Sequence, residues 1–250
     1  MGDFFRRTGA LFTVILLIFS TSALPAQDTK KPVDETEASL SFGLVDTSGN
    51  SDTTTFNSKA HILRKKGIYR VALDGLYIYA ESGGESVAEK VDITNRWEMR
   101  LDSFFPFWDI NYYRNPFQKY DYRIATGPGL GYFFLKTEKA YFSASYYIRS
   151  HYDHLIGEEE KFVNYTMHNV EGRARYKFTD SLSFTQKVVY SISDRKPADY
   201  FFDFEALLKN RISERLALEF SYVASYQNKP VDPTVKRLDT TISTFLVIEY

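Results

Sequence analysis

From residue 37 onward, apolar and polar side chains alternate in successive runs separated by turn-forming residues, the period of strands with two unlike faces. The spacing predicts strands over roughly 37–47, 53–64, 68–81, 88–101, 108–114, 120–135, 140–150, 162–178, 182–193, 200–212, 216–227 and 238–250. No amphipathic helix interrupts the series. The fifth strand is the shortest, because Pro106 and Pro116 bracket it and proline cannot donate to a ladder. In 90–101 Lys90, Asp92, Arg96, Glu98 and Arg100 share one face, and Val91, Ile93, Trp97, Met99 and Leu101 share the other. Residues 163–178 repeat the separation, with Glu171, Arg173, Arg175 and Lys177 opposite Val170, Ala174, Tyr176 and Phe178. In 200–212 Asp203, Glu205, Lys209 and Arg211 oppose Tyr200, Phe202, Phe204, Leu208 and Ile212. Over 216–227 Glu219 opposes Leu216, Leu218, Phe220, Tyr222 and Tyr226.

A soluble antiparallel sandwich also alternates, with its apolar face turned inward. Three features favour a transmembrane barrel instead. The apolar faces end in Tyr, Trp and Phe, as interfacial girdles do. The runs exceed the five or six residues usual in soluble sheets. The chain also stops on an aromatic, Tyr250, in phase with Ile248, Leu246, Thr244 and Ile242, and so resembles the closing strand of a bacterial outer-membrane barrel. Twelve strands is an even number, as single-chain barrels of that kind require. The fold class is therefore all-β: an antiparallel transmembrane β-barrel in the bacterial outer membrane.

The N-terminus agrees. Arg6 and Arg7 precede the apolar run Ala10–Ser20, and small residues follow around Ala23 and Ala26. This is the layout of a cleaved secretory signal over 1–26, too short for a spanning helix. Residues 27–36 read as a polar periplasmic lead-in and 37–250 as the barrel. Short turns (Thr179–Asp180–Ser181, Ser213–Glu214–Arg215, and those near Gly67 and Thr137) follow even strands, and the longer His151–Lys161 and Asn228–Arg237 connections follow odd ones. That asymmetry places both termini in the periplasm.

Composition adds exclusions. There is no cysteine, which removes disulfides, thiolate metal sites and a lipoprotein anchor together. Aromatics make up 17% of the chain, yet mean hydropathy is only −0.33, as expected where lipid-facing residues occupy alternate positions. Formal charge is −1, and loss of Asp3, Arg6 and Arg7 with the signal would make it −2. A near-neutral chain argues against a nucleic-acid partner. The partners expected are outer-membrane lipid and, through the C-terminal strand, the barrel-assembly machinery.

The region after the signal resembles the YdiY-like, salt-induced outer-membrane-protein group, a family of unknown function. The likeness is carried by Gly43-Leu-Val-Asp-Thr-Ser-Gly49-Asn50-Ser51-Asp52, by Arg114-Asn-Pro-Phe-Gln-Lys-Tyr-Asp-Tyr-Arg123 with Gly127-Pro-Gly-Leu-Gly-Tyr132, and by Lys236-Arg-Leu-Asp239-Thr240, in that order. It implies an outer-membrane barrel and brings no catalytic residues with it.

The candidate chemistry lies on the charged faces. Gly127, Gly129 and Gly131 lack the following helix that a dinucleotide loop requires, and they read as small lumen-side residues that let the sheet curve or leave room inside. His151 and His154 could ligate a metal from a loop with Asp153 or Glu158–Glu160, though solvated surface is the commoner meaning of such a loop. His61 faces the lumen and His168 the apolar side, with no serine at an obvious partner position, so no enzyme and no cofactor are called for. Lys209 is expected opposite Glu219 as an ion pair. Arg173 is expected opposite Lys187, a like-charge juxtaposition that is unfavourable unless an anion or carboxylate intervenes. Arg173, Arg175 and Lys187 thus form a candidate anion stripe; the alternative is neutralisation by carboxylates from across a narrow barrel. Two functions stay open. One is a narrow channel for small anionic or polar solutes; the other is a non-conducting structural or stress-response barrel with a salt-bridged interior. An outer-membrane hydrolase ranks below both.

Overall fold

A computed structural model describes residues 34–47, 53–157, 161–195, 198–230 and 235–250. The expected signal peptide, the Gly49–Ser51 turn and Glu158–Glu160 lie outside these. The described residues form twelve strands: β1 (Asp34–Thr47), β2 (Thr53–Lys66), β3 (Tyr69–Ser82), β4 (Glu85–Met99), β5 (Phe104–Asn115), β6 (Tyr120–Lys136), β7 (Ala140–Leu155), β8 (Lys161–Lys177), β9 (Leu182–Ser193), β10 (Tyr200–Arg211), β11 (Leu216–Gln227) and β12 (Leu238–Glu249). Each pairs antiparallel with its chain neighbour, and β1 pairs with β12 to close the barrel. A single 3₁₀ turn, Pro116–Gln118, joins β5 to β6. No helix among the described residues is long and apolar enough to cross a membrane; the crossing elements here are strands.

Several boundaries differ from those expected: β1 begins at Asp34, within the stretch read as a lead-in, β4 begins at Glu85, and two further differences bear on the lumen. β5 begins at Phe104 and takes in Pro106. The β4–β5 ladder starts only at Glu98–Phe107, so Pro106 lies outside it, and the missing N–H interrupts no bond there. β7 continues to Leu155, so His151, Asp153 and His154 are strand residues rather than loop residues.

The outward face is the apolar one. Ile110, Leu130 and Val170, near the middle of their strands, are about half exposed. Rings gather at the two rims: Trp97, Phe134 and Tyr250 at the end holding the short turns and both described termini, Tyr152 and Phe162 at the other. In water so large an apolar surface would drive association; against hydrocarbon it is the matching surface.

The closing seam is the shortest ladder. It runs from Ser39–Glu249 to Phe42–Leu246 and is extended by reciprocal Ala38–Tyr250 backbone hydrogen bonds. Beyond it Gly43 presses on β12: a Cβ there would lie 2.5 Å from the Thr244 carbonyl oxygen, so only glycine fits. Side chains stitch the strands above this point. Asn57 Nδ2 donates to Ser243 Oγ at 3.0 Å across β1, and Lys59 Nζ reaches Glu219 at 3.0 Å across β1 and β12.

Candidate functional site: the lumen

Because side chains alternate, register alone assigns the lumen: Lys59, Arg96, Asp109, Arg173, Lys187, Glu205 and Glu219 all project inward from their strands. The glycine run on β6 organises its centre. Gly127 lies opposite Asp109 of β5. With no side chain there, Arg149 of β7 passes over β6 to donate from Nε and Nη2 to Asp109 at 2.8 and 2.7 Å. Gly129 likewise lies under the Phe107 ring, which meets Tyr147 of β7 at 5.7 Å between centroids. Gly131 lies under Phe105. The room expected at these glycines is filled by neighbours meeting over them.

The resulting belt crosses the barrel. Arg96 of β4 donates to Asp109 at 3.0 Å and reaches Glu171 of β8 at 3.4 Å, while its guanidinium stacks over Phe107. Glu171 also accepts from Arg173 at 2.6 Å. A second belt lies toward the longer loops. There Arg123 forks onto Asp153 with two contacts of 2.8 Å, donates to Tyr165 and stacks on Tyr120. Gln227 of β11 donates to the Tyr120 hydroxyl at 3.4 Å from the opposite wall. Nearly every charge in these belts has a partner, as burial demands.

The half toward the short turns is different. Arg173 and Lys187 are opposed across β8 and β9, as expected, and remain 40% and 36% accessible in their side chains. Each has a carboxylate: Glu171 for Arg173, and Glu205 at 3.6 Å for Lys187. Arg175 does not. It faces Tyr141 and Thr185, and its Nε is buried without an acceptor. The expected Lys209–Glu219 pair is a correction. The two are ladder neighbours, but Lys209 bonds Glu249 and Glu219 bonds Lys59. Closure brings β2 and β12 within reach, and those partners are better placed than the one directly opposite.

The histidine reading is corrected too. His151 and Asp153 point inward while His154 points outward to Asp121 at 2.9 Å, so the pair cannot share an ion. His151 is buried against Tyr165, with neither ring nitrogen hydrogen-bonded. Among the described residues no cluster suits a metal. One arrangement was missed. Ser39, His61 and Asp74 lie in a row across β1, β2 and β3, with His61 Nδ1 2.7 Å from Asp74. That is the order of a nucleophile, base and orienting carboxylate, but no hydrogen bond joins Ser39 to His61 among the described residues.

A closed antiparallel barrel with an apolar exterior and a charged interior is the architecture of outer-membrane porins and channels. Two solved structures share the barrel fold. The NanC porin covers 86% of this chain and 98% of its own at 8% identity, with a TM-score of 0.53. The COG4313 outer-membrane channel from Pseudomonas putida F1 covers 92% and 100% at 10% identity, with a TM-score of 0.54. No curated protein matches the sequence. The model of the family described as "Protein of unknown function, DUF481" matches residues 40–250, and the chain belongs to that family.

Proposed function

We propose that this protein is a narrow outer-membrane channel for small anionic or polar solutes, with both termini in the periplasm, and not an enzyme. One observation carries the reading. The lumen toward the short turns holds cations in excess of carboxylates, and among the described residues Arg70, Lys136, Arg175 and Lys177 have no ion-pair partner. A filled structural barrel would have to neutralise the half-buried Arg70 and Arg175, because an unpaired buried charge is costly; Lys136 and Lys177 are exposed. Uncompensated cations are tolerated where water and mobile anions reach them. The two similar barrels, a porin and an outer-membrane channel, agree with this reading.

A second reading has its own support. The Arg96–Glu171 and Tyr120–Gln227 bonds run from wall to wall and narrow the lumen. The first lies at the centre and the second toward the longer loops, and together they favour a non-conducting barrel, or one that opens only when the belts part. Single-channel recording in potassium chloride after refolding decides between them. Discrete steps with a reversal potential toward that of chloride support the channel, and Arg173→Gln with Lys187→Gln should reduce that preference. A silent bilayer holding folded barrels favours the filled one.

A further inference from the structure

We propose that the short-turn mouth of the lumen is a binding site for a soluble multivalent anion of phosphate type, held by Arg70, Lys136 and Arg175 with Lys177 at its rim. Arg70 lies opposite Glu98 in the β3–β4 ladder, but that carboxylate is taken by Arg100. The Nε of Arg70, like that of Arg175, is buried without an acceptor. Arg70, Arg100 and Lys136 lie within electrostatic reach of one another at the ends of β3, β4 and β6, with Glu98 and Asp102 the carboxylates that face them. Tyr141 joins the two groups: it is the ladder partner of both Lys136 and Arg175, and it lies within electrostatic reach of Arg100. Arg100 itself is clamped over the rings of Phe105 and Phe133, 4.7 and 4.3 Å from their centroids, so this wall is held in place.

Like charges gathered on a fixed wall, with two buried donors unanswered, want an acceptor that carries several charges and several oxygens. A halide offers neither. A phosphate-type group offers both, and the planar guanidinium fork matches its oxygens two at a time. The donors face the lumen rather than the bilayer, which assigns the site to a soluble anion over a lipid headgroup of the same chemistry. The proposal rests on the channel reading only for access, because equilibrium binding requires no conduction.

The test is calorimetric titration of the folded barrel in detergent with inorganic tripolyphosphate, and in a parallel arm with micelles of a short-chain phosphatidic acid. The expected result is saturable binding of the oligophosphate alone, weakened about tenfold or more in Arg70→Gln/Arg175→Gln. Lys136→Gln should weaken it by a smaller factor. Arg211→Gln, at the same mouth but paired with Glu249, should leave it within about twofold. These variants remove repulsion rather than pairing, so they are expected to fold, which circular dichroism checks. Unsaturable binding, equal losses in the Arg211 variant, or preference for the lipid would overturn the proposal. Binding by a barrel that proves silent in bilayers would leave it standing and remove the channel reading alone.

Discussion

Asp109 is the test of whether the central belt is structural. Its side chain has no accessible surface, and it accepts two hydrogen bonds from Arg149 and one from Arg96. Asp109→Asn keeps the shape but removes the charge, leaving Arg149 without its carboxylate; Arg96 retains Glu171 at 3.4 Å. Breaking a buried pair by neutralising one partner costs about 3–5 kcal/mol, most of it from the charge left behind. Removing that charge as well, in Asp109→Asn/Arg149→Met, should therefore be less damaging than the two single changes added together. The expected coupling is about 2 kcal/mol, in the range for residues sharing one network. Urea unfolding of the refolded barrel, followed by the fluorescence of Trp97 and Trp108 on its outer face, measures all four species. A single-variant loss below about 1 kcal/mol, or simple additivity, would mean that water already solvates this belt and that the pairing argument is wrong.

Gly129→Val should destabilise the barrel by about 1–3 kcal/mol or block refolding, because even a Cβ would lie 2.6 Å from that of Tyr147; native circular dichroism with an unchanged urea midpoint would contradict it. Val170→Arg puts a charge on the lipid face near the middle of β8 and should cost about 2–4 kcal/mol in phospholipid vesicles, measured by urea unfolding. Ser41→Cys with Val247→Cys joins ladder partners at the closing seam of a chain otherwise without cysteine. The disulfide should form, detectable as a mobility shift lost on reduction, and should raise stability by about 2–4 kcal/mol.

The strands were legible because a barrel wall imposes a fixed alternation: one face meets hydrocarbon and the other meets water or charge. The same alternation runs through His151, Tyr152, Asp153 and His154, yet their polarity reads as a loop. Only the inward burial of His151 and Asp153 and the outward exposure of Tyr152 reveal strand. Register was equally legible, since three-residue turns set Lys209 against Glu219 and Arg173 against Lys187. Partner choice was not. A long side chain in a closed lumen selects among carboxylates on several strands, and Lys59 reaches Glu219 across two of them. The glycines on β6 announced space without saying what fills it, because the occupants come from β5 and β7, and Arg149 lies more than twenty residues along the chain from Gly127.

A formal charge of −1 says little about the surface a solute would meet. In the central belt Asp109 is matched by Arg149 and Arg96, toward the longer loops Asp153 is matched by Arg123, and the matched groups are packed. Toward the short turns Arg70, Lys136, Arg175 and Lys177 have no ion-pair partner among the described residues. Pairing packs the centre and the stretch toward the longer loops, and the excess charge lies toward the short turns, so the two functional readings describe different parts of one lumen. Whether an anion that enters the basic mouth goes further depends on the belts. The Arg96–Glu171 contact, at 3.4 Å the longer of the Arg96 ion pairs, is where they have least to lose by opening.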